Sequence, residues 1–353
     1  MKIKLAILEK DKSYLSRIVS VFGTKYADKF EIYSFTDQEV ALSNLNTAKI
    51  DVLVAGDSFE IDVAQLPVRC GFAYLVDSID IDMINNQRAI CKFQKADLIY
   101  KQILSIYSEK ASSITGFKMN SEGGKTILFC SPSGGVGAST AAAACAMHIA
   151  QEGKKVLYLN LEKFGSSDLF FHGEGQFDMS DLLFALKSKK TNLPLKLESC
   201  VKQDPCGVYF YSQTKVALDM MELSIEEALR LISEIQLMGE YDYIVIDADF
   251  SLNKDSLKLY RDAQEIVLVG DGSELSNNKI RRAYEALSIM EQNADAPLMN
   301  RMSFMYNKAS SKTGQTIEVQ GLREIGGAPK YERATTAQIL AQLAPMDLYN
   351  KIL

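Results

Sequence analysis

The chain has 353 residues, a length that corresponds to roughly two to three domains at about 150 residues each. Apolar residues make up 47%, charged residues 24%, and the net charge is −6. These ordinary values exclude a disordered protein, a coiled coil and a disulfide-rich miniprotein, and the acidic balance argues against a general nucleic-acid-binding protein. The sequence contains no apolar run of about 18 residues, so no transmembrane helix is predicted.

The first third of the chain alternates between strand-like and helix-like segments, the pattern of a parallel α/β domain. Helical spacing of apolar residues predicts helices over 14–22 and about 95–107. Five strands are predicted, at 3–8, 31–35, 51–55, 71–76 and 89–91. This set is sufficient for a complete five-stranded, flavodoxin-like parallel sheet.

A small, polar, glycine-containing stretch at 111–124 has the composition of a linker, so we predict domains at 1–118 and 119–353. The second part opens with a strand at 126–130 and a helix at 139–151. Further strands are predicted at 155–161, 208–211, 243–247, 265–269 and 302–306. At least six strands in this length predict one large doubly wound sheet.

A glycine-rich loop at 131–140 (SPSGGVGAST) follows a predicted strand and opens an alanine-rich helix. This is the context of a phosphate-binding loop, because glycines let backbone amides turn towards an anion and the helix N-terminus adds positive potential. The Ser139 hydroxyl is expected to ligate Mg²⁺ and Thr140 to donate to a phosphate oxygen. The alternative is a tight turn without a ligand. The GGKT at 123–126 precedes its strand, so we interpret it as a coincidence.

At this loop the chain resembles the deviant-Walker ATPases of the ParA/MinD group, whose pattern is KGGxGK[ST]T. Both lysines of that pattern are replaced, by Ser133 and Ala138. The resemblance implies a P-loop NTPase-like fold, ATP and Mg²⁺ as ligands, and a homodimer that forms across the two phosphate loops. The nucleotide-binding residues that it implies are Ser133, Gly134, Gly135, Val136, Gly137, Ala138, Ser139 and Thr140.

Other landmarks of that group follow in the same order. Glu162 ends a segment similar to switch I, where the group has an aspartate, and is the candidate catalytic residue that orients water. Asp247 ends a strand similar to Walker B and is expected near Mg²⁺. Two later segments resemble the parts that read adenine and close over the base: Asn307 with Lys308, and residues 327–331 with Pro329 and Tyr331.

Each of these assignments has a plainer alternative. Asn307 is also typical of an ordinary turn after a strand, and Glu162 is one methylene longer than the aspartate of the group. A lone carboxylate such as Asp247 at the end of an apolar strand has no evident structural reason, which favours a function. Lys163 is either an exposed surface lysine or a substitute for the missing loop cations.

The first domain resembles the receiver domain of response regulators. Lys92 matches the phosphate-contacting lysine of that family, although Phe93 replaces the proline that usually follows. The phosphoacceptor position, five residues after Asp51, is occupied by Gly56, and the Asp57 side chain is expected on the other side of the extended segment. The degenerate site thus comprises Glu9, Asp11, Gly56, Asp57 and Lys92. We expect a protein-docking module that docks around 97–107, with Tyr100, Ile103 and Tyr107, rather than a phosphorylated switch.

An atypical receiver domain before a deviant-Walker domain resembles the TadZ/CpaE family of tight-adherence pilus systems. This resemblance implies a cytoplasmic homodimer that recruits pilus assembly proteins near a cell pole or the inner membrane face, with slow or negligible ATP hydrolysis. A ParA/MinD-like partitioning or positioning ATPase acting on DNA or membrane is the alternative.

Several features argue against other functions. The basic cluster at 279–282 is small and typical of a solvated helix face, so no specific nucleic-acid partner is expected. Residues 337–353 carry a single basic residue, Lys351, so no stable membrane anchor is expected. The six cysteines contain no CxxC pair, which favours reduced thiols in the cytoplasm and gives no ligand set for an iron–sulfur cluster.

Overall fold

The computed structural model describes residues 2–111, 123–188, 191–291, 298–310 and 314–353. The chain divides into two compact units. The first unit comprises Met1–Phe117 and Phe184–Cys200, and the second comprises Lys118–Leu183 and Val201–Leu353. The boundary predicted between 118 and 119 lies outside the described residues and stays a prediction. A single boundary there would also assign Phe184–Cys200 to the second domain, although these residues belong to the first unit.

The first unit is a parallel sheet covered by helices. Its sheet order is β2-β1-β3-β4-β6, all parallel, with the short β5 antiparallel to β6 at the edge. The predicted fold is confirmed, and β5 and α2 are additional. The elements are β1 Ile3–Leu8, α1 Lys12–Lys25, β2 Phe30–Phe35, α2 Gln38–Thr47, β3 Val52–Gly56, a 3₁₀ turn Val63–Gln65, β4 Gly71–Val76, β5 Met83–Ile84, β6 Gln87–Cys91 and α3 Ala96–Lys110.

The rest of the chain contains the second sheet and the remaining helices. The strands are β7 Lys125–Cys130, β8 Val156–Asn160, β9 Lys202–Gln203, β10 Tyr209–Phe210, β11 Tyr243–Asp247, β12 Glu265–Gly270, β13 Met302–Ala309 and β14 Arg323–Pro329. The helices are α4 Ala138–Gln151, α5 Met179–Lys187, α6 Leu193–Cys200, α7 Leu218–Met221, α8 Ile225–Met238, α9 Lys254–Asp262, α10 Glu274–Met290 and α11 Thr336–Leu343, with 3₁₀ turns at Ser167–Leu169, Leu298–Arg301 and Asp347–Lys351.

The sheet of the second unit has the order β14-β13-β12-β7-β11-β8-β10-β9, and it is parallel except between β9 and β10. Helix α4 packs against its central strands, since its run of fully buried alanines at 141–144 allows close approach to the sheet. The carboxyl ends of β7, β8, β11 and β13 therefore lie at one edge, where a doubly wound sheet binds its ligands. No helix within the described ranges is long and apolar enough to cross a membrane.

One predicted loop is a strand in the structure. Residues 323–329 form β14, which pairs with β13 at the edge of the sheet, with Pro329 opposite Ala309. An edge strand tolerates a proline because one side of its backbone needs no ladder hydrogen bond. Of the segment expected to close over a base, 327–331, only Lys330 and Tyr331 follow the strand.

Helix α6 belongs to the first unit and packs along α3. Leu195 packs against the apolar core that contains Tyr100 and Ile103, which are 6% and 0% exposed. The Tyr100 hydroxyl donates to Glu198 at 2.6 Å, and the Lys196 ammonium donates to the buried Ser105 hydroxyl at 2.9 Å. The expectation that Tyr100 and Ile103 form a docking surface is therefore wrong, because those side chains are buried within the unit, whereas Tyr107 is half-buried and its docking role stays a prediction.

Candidate functional site

The glycine-rich loop joins β7 to α4, and its tight backbone depends on two glycines. Gly135 and Gly137 have φ values of 77° and 87°, in the left-handed region that favours glycine, and Gly137 caps the N-terminus of α4. The Ser131 hydroxyl accepts the amide of Ser133 at 3.0 Å and donates to the carbonyl of Val269 at 2.6 Å. The loop is thus fixed to β12, with the free amides of the helix N-terminus at its centre.

Two predicted residues from the end of β13 hold the loop from the other side. The Asn307 side-chain amide donates to the carbonyls of Val136 at 2.9 Å and Gly137 at 3.2 Å. The Lys308 ammonium donates to the carbonyl of Gly135 at 2.7 Å. Because carbonyls take these bonds, the loop amides stay available to an anion. The structure brings Asn307 and Lys308 to the loop, a contact that sequence reasoning, which had assigned them to adenine, did not include.

The remaining predicted base-contacting residues lie at the same edge of the sheet. Pro329 is the last residue of β14 and is exposed, and Tyr331 is half-buried against the core that surrounds α4. Strands β13 and β14 are parallel, so the end of β14, with Pro329 and the following Tyr331, lies next to the end of β13, which contains Asn307. The expected contact of Pro329 and Tyr331 with a base stays a prediction.

A buried polar cluster lies at the ends of β8 and β11. Asp247 is fully buried, and its Oδ2 accepts hydrogen bonds from the Tyr158 hydroxyl at 2.7 Å and the Asn160 amide at 3.0 Å. The Ser139 hydroxyl, in the first turn of α4, donates to Glu162 Oε2 at 3.1 Å. Burial, together with the nearby Glu162 charge, raises the pKa of Asp247 well above its usual range. The predicted metal and catalytic residues are therefore adjacent.

This cluster fits a magnesium ion. Asp247 Oδ1 is buried and has no hydrogen-bond partner among the residues that the structure describes, although a buried polar oxygen normally has one. The surrounding donors, Ser139 Oγ and the carboxylates of Asp247 and Glu162, are the oxygen ligands that Mg²⁺ prefers, usually together with waters and phosphates. A cation there would also offset the charge that burial disfavours.

The two replaced lysine positions leave no cationic side chain in the loop itself. Ser133 is buried and Ala138 is half-buried at the start of α4, where Thr140 is also half-buried. Lys163 is exposed, and its backbone amide donates to Asp249 at 2.9 Å. Lys308 is a cation that does contact the loop, through the carbonyl of Gly135.

The degenerate receiver site of the first unit is filled by its own side chains. A Cβ placed on Gly56 would lie 2.9 Å from Glu9 Oε2, so the Glu9 carboxylate takes the space of an acceptor side chain. The Lys92 ammonium lies 3.0 Å from Glu9 Oε2 and 3.1 Å from Asp77 Oδ1. Burial opposes the charge of Lys92, but the hydrogen bonds that its ammonium donates to Glu9 and Asp77 raise its pKa. Asp77 was not predicted from the sequence.

The other two acidic residues of that site have different roles. Asp11 caps α1, since its Oδ1 accepts the amides of Ser13 at 2.8 Å and Tyr14 at 3.1 Å, and these bonds lower its pKa. Asp57 is exposed beyond the end of β3. Its backbone amide donates to the carbonyl of Leu75 at 3.0 Å.

Together these features define a class of protein: a receiver-like unit and a second unit with a P-loop NTPase-like fold. Residues 1–108 match the family model described as TadZ-like, receiver domain. The first domain is thus similar to a TadZ-like receiver domain. The chain matches no curated protein sequence.

Solved structures resemble the second part of this architecture. MinD of Pyrococcus horikoshii OT3, a septum site-determining protein complexed with Mg-ADP, has 17% identity and a TM-score of 0.50, covering 65% of this chain and 92% of its own. The ParA family ATPase of Chlorobium tepidum TLS has 19% identity and a TM-score of 0.49, covering 65% and 96%. The MinC:MinD complex of Aquifex aeolicus has 19% identity and a TM-score of 0.48, and the match covers 64% of this chain and 89% of the other. The likeness to the Pyrococcus protein establishes the fold.

Proposed function

We propose that the chain is an ATP-binding, dimeric localisation and scaffold protein of tight-adherence pilus assembly, with weak or negligible ATP hydrolysis. The observation that carries the proposal is the arrangement of the glycine-rich loop beside the buried Asp247. Asn307 and Lys308 donate to carbonyls of this loop, so its amides stay available to an anion. The similarity of the first domain to a TadZ-like receiver domain favours a role in pilus assembly. The protein acts in the cytoplasm, near a cell pole or the inner membrane face, through its partners.

The residues of the loop bind the phosphates. Amides of residues 134–140 and the N-terminus of α4 face the anion, and glycines at 135 and 137 permit that backbone shape. Ser139 and Asp247 would hold Mg²⁺, which neutralises phosphate charge and polarises the phosphoryl group. The strand-end residues Asn307, Pro329 and Tyr331 border the base.

Hydrolysis is slow because charge stabilisation on the transferred phosphoryl group is weak. Cationic groups at such a site supply about 10³–10⁵ in rate, and both lysine positions of the loop carry neutral residues, Ser133 and Ala138. Glu162 is the group that orients water, and its Oε2 also accepts the Ser139 hydroxyl at 3.1 Å. A chain that binds ATP tightly and turns it over slowly remains in its assembled state for long periods.

Dimerisation is proposed to follow nucleotide binding. Ligand that binds the dimer more tightly than the monomer favours association by linkage. The buried Ser133 cannot reach a second subunit as a lysine does, so the contacts come from the switch segments at 162–167 and 249–253. Several of these residues are exposed, including Lys163 and Phe164.

The first unit is proposed to dock pilus assembly proteins without a phosphorylation switch. Gly56 provides no acceptor, and the ion pair of Glu9 with Lys92 occupies the space of one. Lys92, which matches the phosphate-contacting lysine of receivers, is thereby already held in ion pairs with Glu9 and Asp77. Asp57, exposed and beyond the strand, is not placed to replace it.

Calorimetry of the full chain with Mg-ATP tests nucleotide binding, and sedimentation with and without Mg-ATP tests the dimer. Asp247→Asn is expected to lower Mg-ATP affinity at least tenfold, because it weakens a ligand of the ion. Asp242→Asn is the matched control. Asp242 immediately precedes the first residue of β11, at the other end of the strand from Asp247, and its carboxylate accepts a hydrogen bond from the Lys155 amide. Phosphate release should be far below about one per second, well under typical enzyme turnover.

Three results would contradict the proposal: no heat of binding at millimolar Mg-ATP, an unchanged monomer in both conditions, or brisk hydrolysis. Salt-sensitive binding of the ATP-loaded chain to duplex DNA would favour the partitioning alternative instead. The basic residues of α10 that this alternative needs, Lys279, Arg281 and Arg282, are exposed on a helix whose Ile280 is buried.

A further inference from the structure

An open cleft of about 200 Å³ lies in the first unit between α1 and the start of α3. A cavity of about 150 Å³ lined by aliphatic and aromatic side chains is large enough to bind benzene, so this cleft has the size of an aromatic ring. Its inner wall is apolar, and Val21 and Phe93 at its rim are 43% and 70% exposed. The lining includes Tyr14, Ile18, Phe22, Phe93, Ala96 and Ile99.

One polar group of the cleft is unsatisfied. Tyr14 lines it and is only 7% exposed, and its hydroxyl has no hydrogen-bond partner within the described part of the chain. Leaving such a group unpaired costs stability, and an acceptor brought by a ligand would recover that cost. Burial raises the pKa of Tyr14, so the hydroxyl is a donor at any physiological pH.

The cleft is lined by one cation that forms no ion pair among the described residues. The charged side chains that line it are those of Arg17 and Lys92. Lys92 is already paired with Glu9 and Asp77. Arg17 is exposed on α1 and forms none of the ion pairs found among the described residues. A ligand with a carboxylate at the rim would complement it.

We propose that this cleft is a docking site for a partner protein segment that presents an aromatic side chain next to a carboxylate. The ring lies against Ile18, Phe22 and Ile99, the carboxylate pairs with Arg17, and an oxygen of the segment accepts the Tyr14 hydroxyl. The inference deepens the proposed docking role of the first unit and rests on it. It also gives that role a surface other than Tyr100 and Ile103, which are buried within the unit.

The test uses the full chain and a fluorescein-labelled peptide, Gly-Ser-Glu-Phe-Glu-Ser-amide, followed by fluorescence anisotropy. Saturable binding is expected at peptide concentrations up to ~1 mM. A peptide with alanine in place of phenylalanine is expected to bind at least tenfold more weakly, because the ring supplies most of the buried apolar area. A peptide with glutamine in place of both glutamates should bind more weakly by a few-fold.

Variants locate the site. Tyr14→Phe removes only the hydroxyl and should weaken binding about two- to tenfold. Ala96→Leu fills the cleft and should abolish binding. Lys12→Gln changes an exposed cation on the same helix outside the cleft and is the control, expected to bind like the wild type.

Each outcome decides the inference. Equal binding of the phenylalanine and alanine peptides, or full binding by Tyr14→Phe and Ala96→Leu, overturns it. Absence of peptide binding by a wild-type sample that still binds Mg-ATP also overturns it, and leaves the proposed nucleotide function standing. If peptide binding is intact but Mg-ATP binding fails, the docking inference stands and the proposed nucleotide function is contradicted. Circular dichroism of each variant shows that it is folded.

Discussion

Substitution of Gly137 tests how the phosphate loop is held. Gly137 has φ 87°, and a Cβ there would lie 2.5 Å from Asn307 Nδ2 and 3.3 Å from Lys308 Cε. In Gly137→Ala the left-handed backbone costs about 1–2 kcal/mol. Asn307, only 3% exposed, must also move from the loop carbonyls, which leaves a buried amide unpaired at about 1–3 kcal/mol. The second unit should lose about 2–5 kcal/mol in total.

The neighbouring glycines are matched controls. Gly135→Ala keeps the backbone strain, because φ is 77°, but nothing lies within 4 Å of its Cβ, so about 1–2 kcal/mol should be lost. Gly134 has neither strain nor a close neighbour, and Gly134→Ala should be neutral or stabilise by up to about 1 kcal/mol.

The assay is urea unfolding of the full chain without nucleotide, with hydrogen exchange of peptides from α4 as the reporter of the second unit. The expected order of stability is Gly134→Ala, Gly135→Ala, then Gly137→Ala. Equal stability of the variants at 135 and 137 would refute the inference that Asn307 clamps the loop, because both variants carry the same backbone strain.

Three further predictions concern other residues. Gly56→Asp should gain no phosphoryl mass with acetyl phosphate and should lose about 1–3 kcal/mol by overpacking against Glu9; stable labelling would contradict the filled site. Ala138→Lys should tighten Mg-ATP binding about tenfold in calorimetry and raise phosphate release, and an unchanged affinity would show that the loop has no place for the cation. Burial and a hydrogen bond with Asp204 raise the pKa of Cys206 to about 12, so at pH 8 it should react with iodoacetamide roughly a thousandfold more slowly than a free thiol. Comparable rates for native and unfolded chain would refute that environment.

Much of both sheets could be predicted from the sequence because buried parallel strands are continuous apolar runs. The predicted strands at 3–8, 71–76 and 243–247 coincide with β1, β4 and β11. The loop at 131–137 could be found because glycine spacing and a following helix leave few alternatives. Both arguments depend on local pattern, which a single sequence shows directly.

Features that depend on distant pairs could not be predicted in the same way. Nothing local to Asp77 indicates its contact with Lys92, and Glu9 fills the space at Gly56 only because β1 and β3 are neighbours. The contact of Asn307 with the loop carbonyls likewise depends on the order of strands at the sheet edge. Helix α2 was missed because its short, mixed sequence buries only Ala41 and Leu45.

The discontinuous first unit has a consequence for synthesis on the ribosome. Residues up to 111 emerge first, but α6, which packs on α3, begins at Leu193. At about 5–20 residues per second, the nascent unit waits roughly 4–16 s for that helix. During this interval Tyr100 of α3 lacks its hydrogen-bond acceptor Glu198, and the apolar core around it lacks Leu195. A chaperone that binds exposed apolar helices would therefore meet this chain early, before its second sheet is complete.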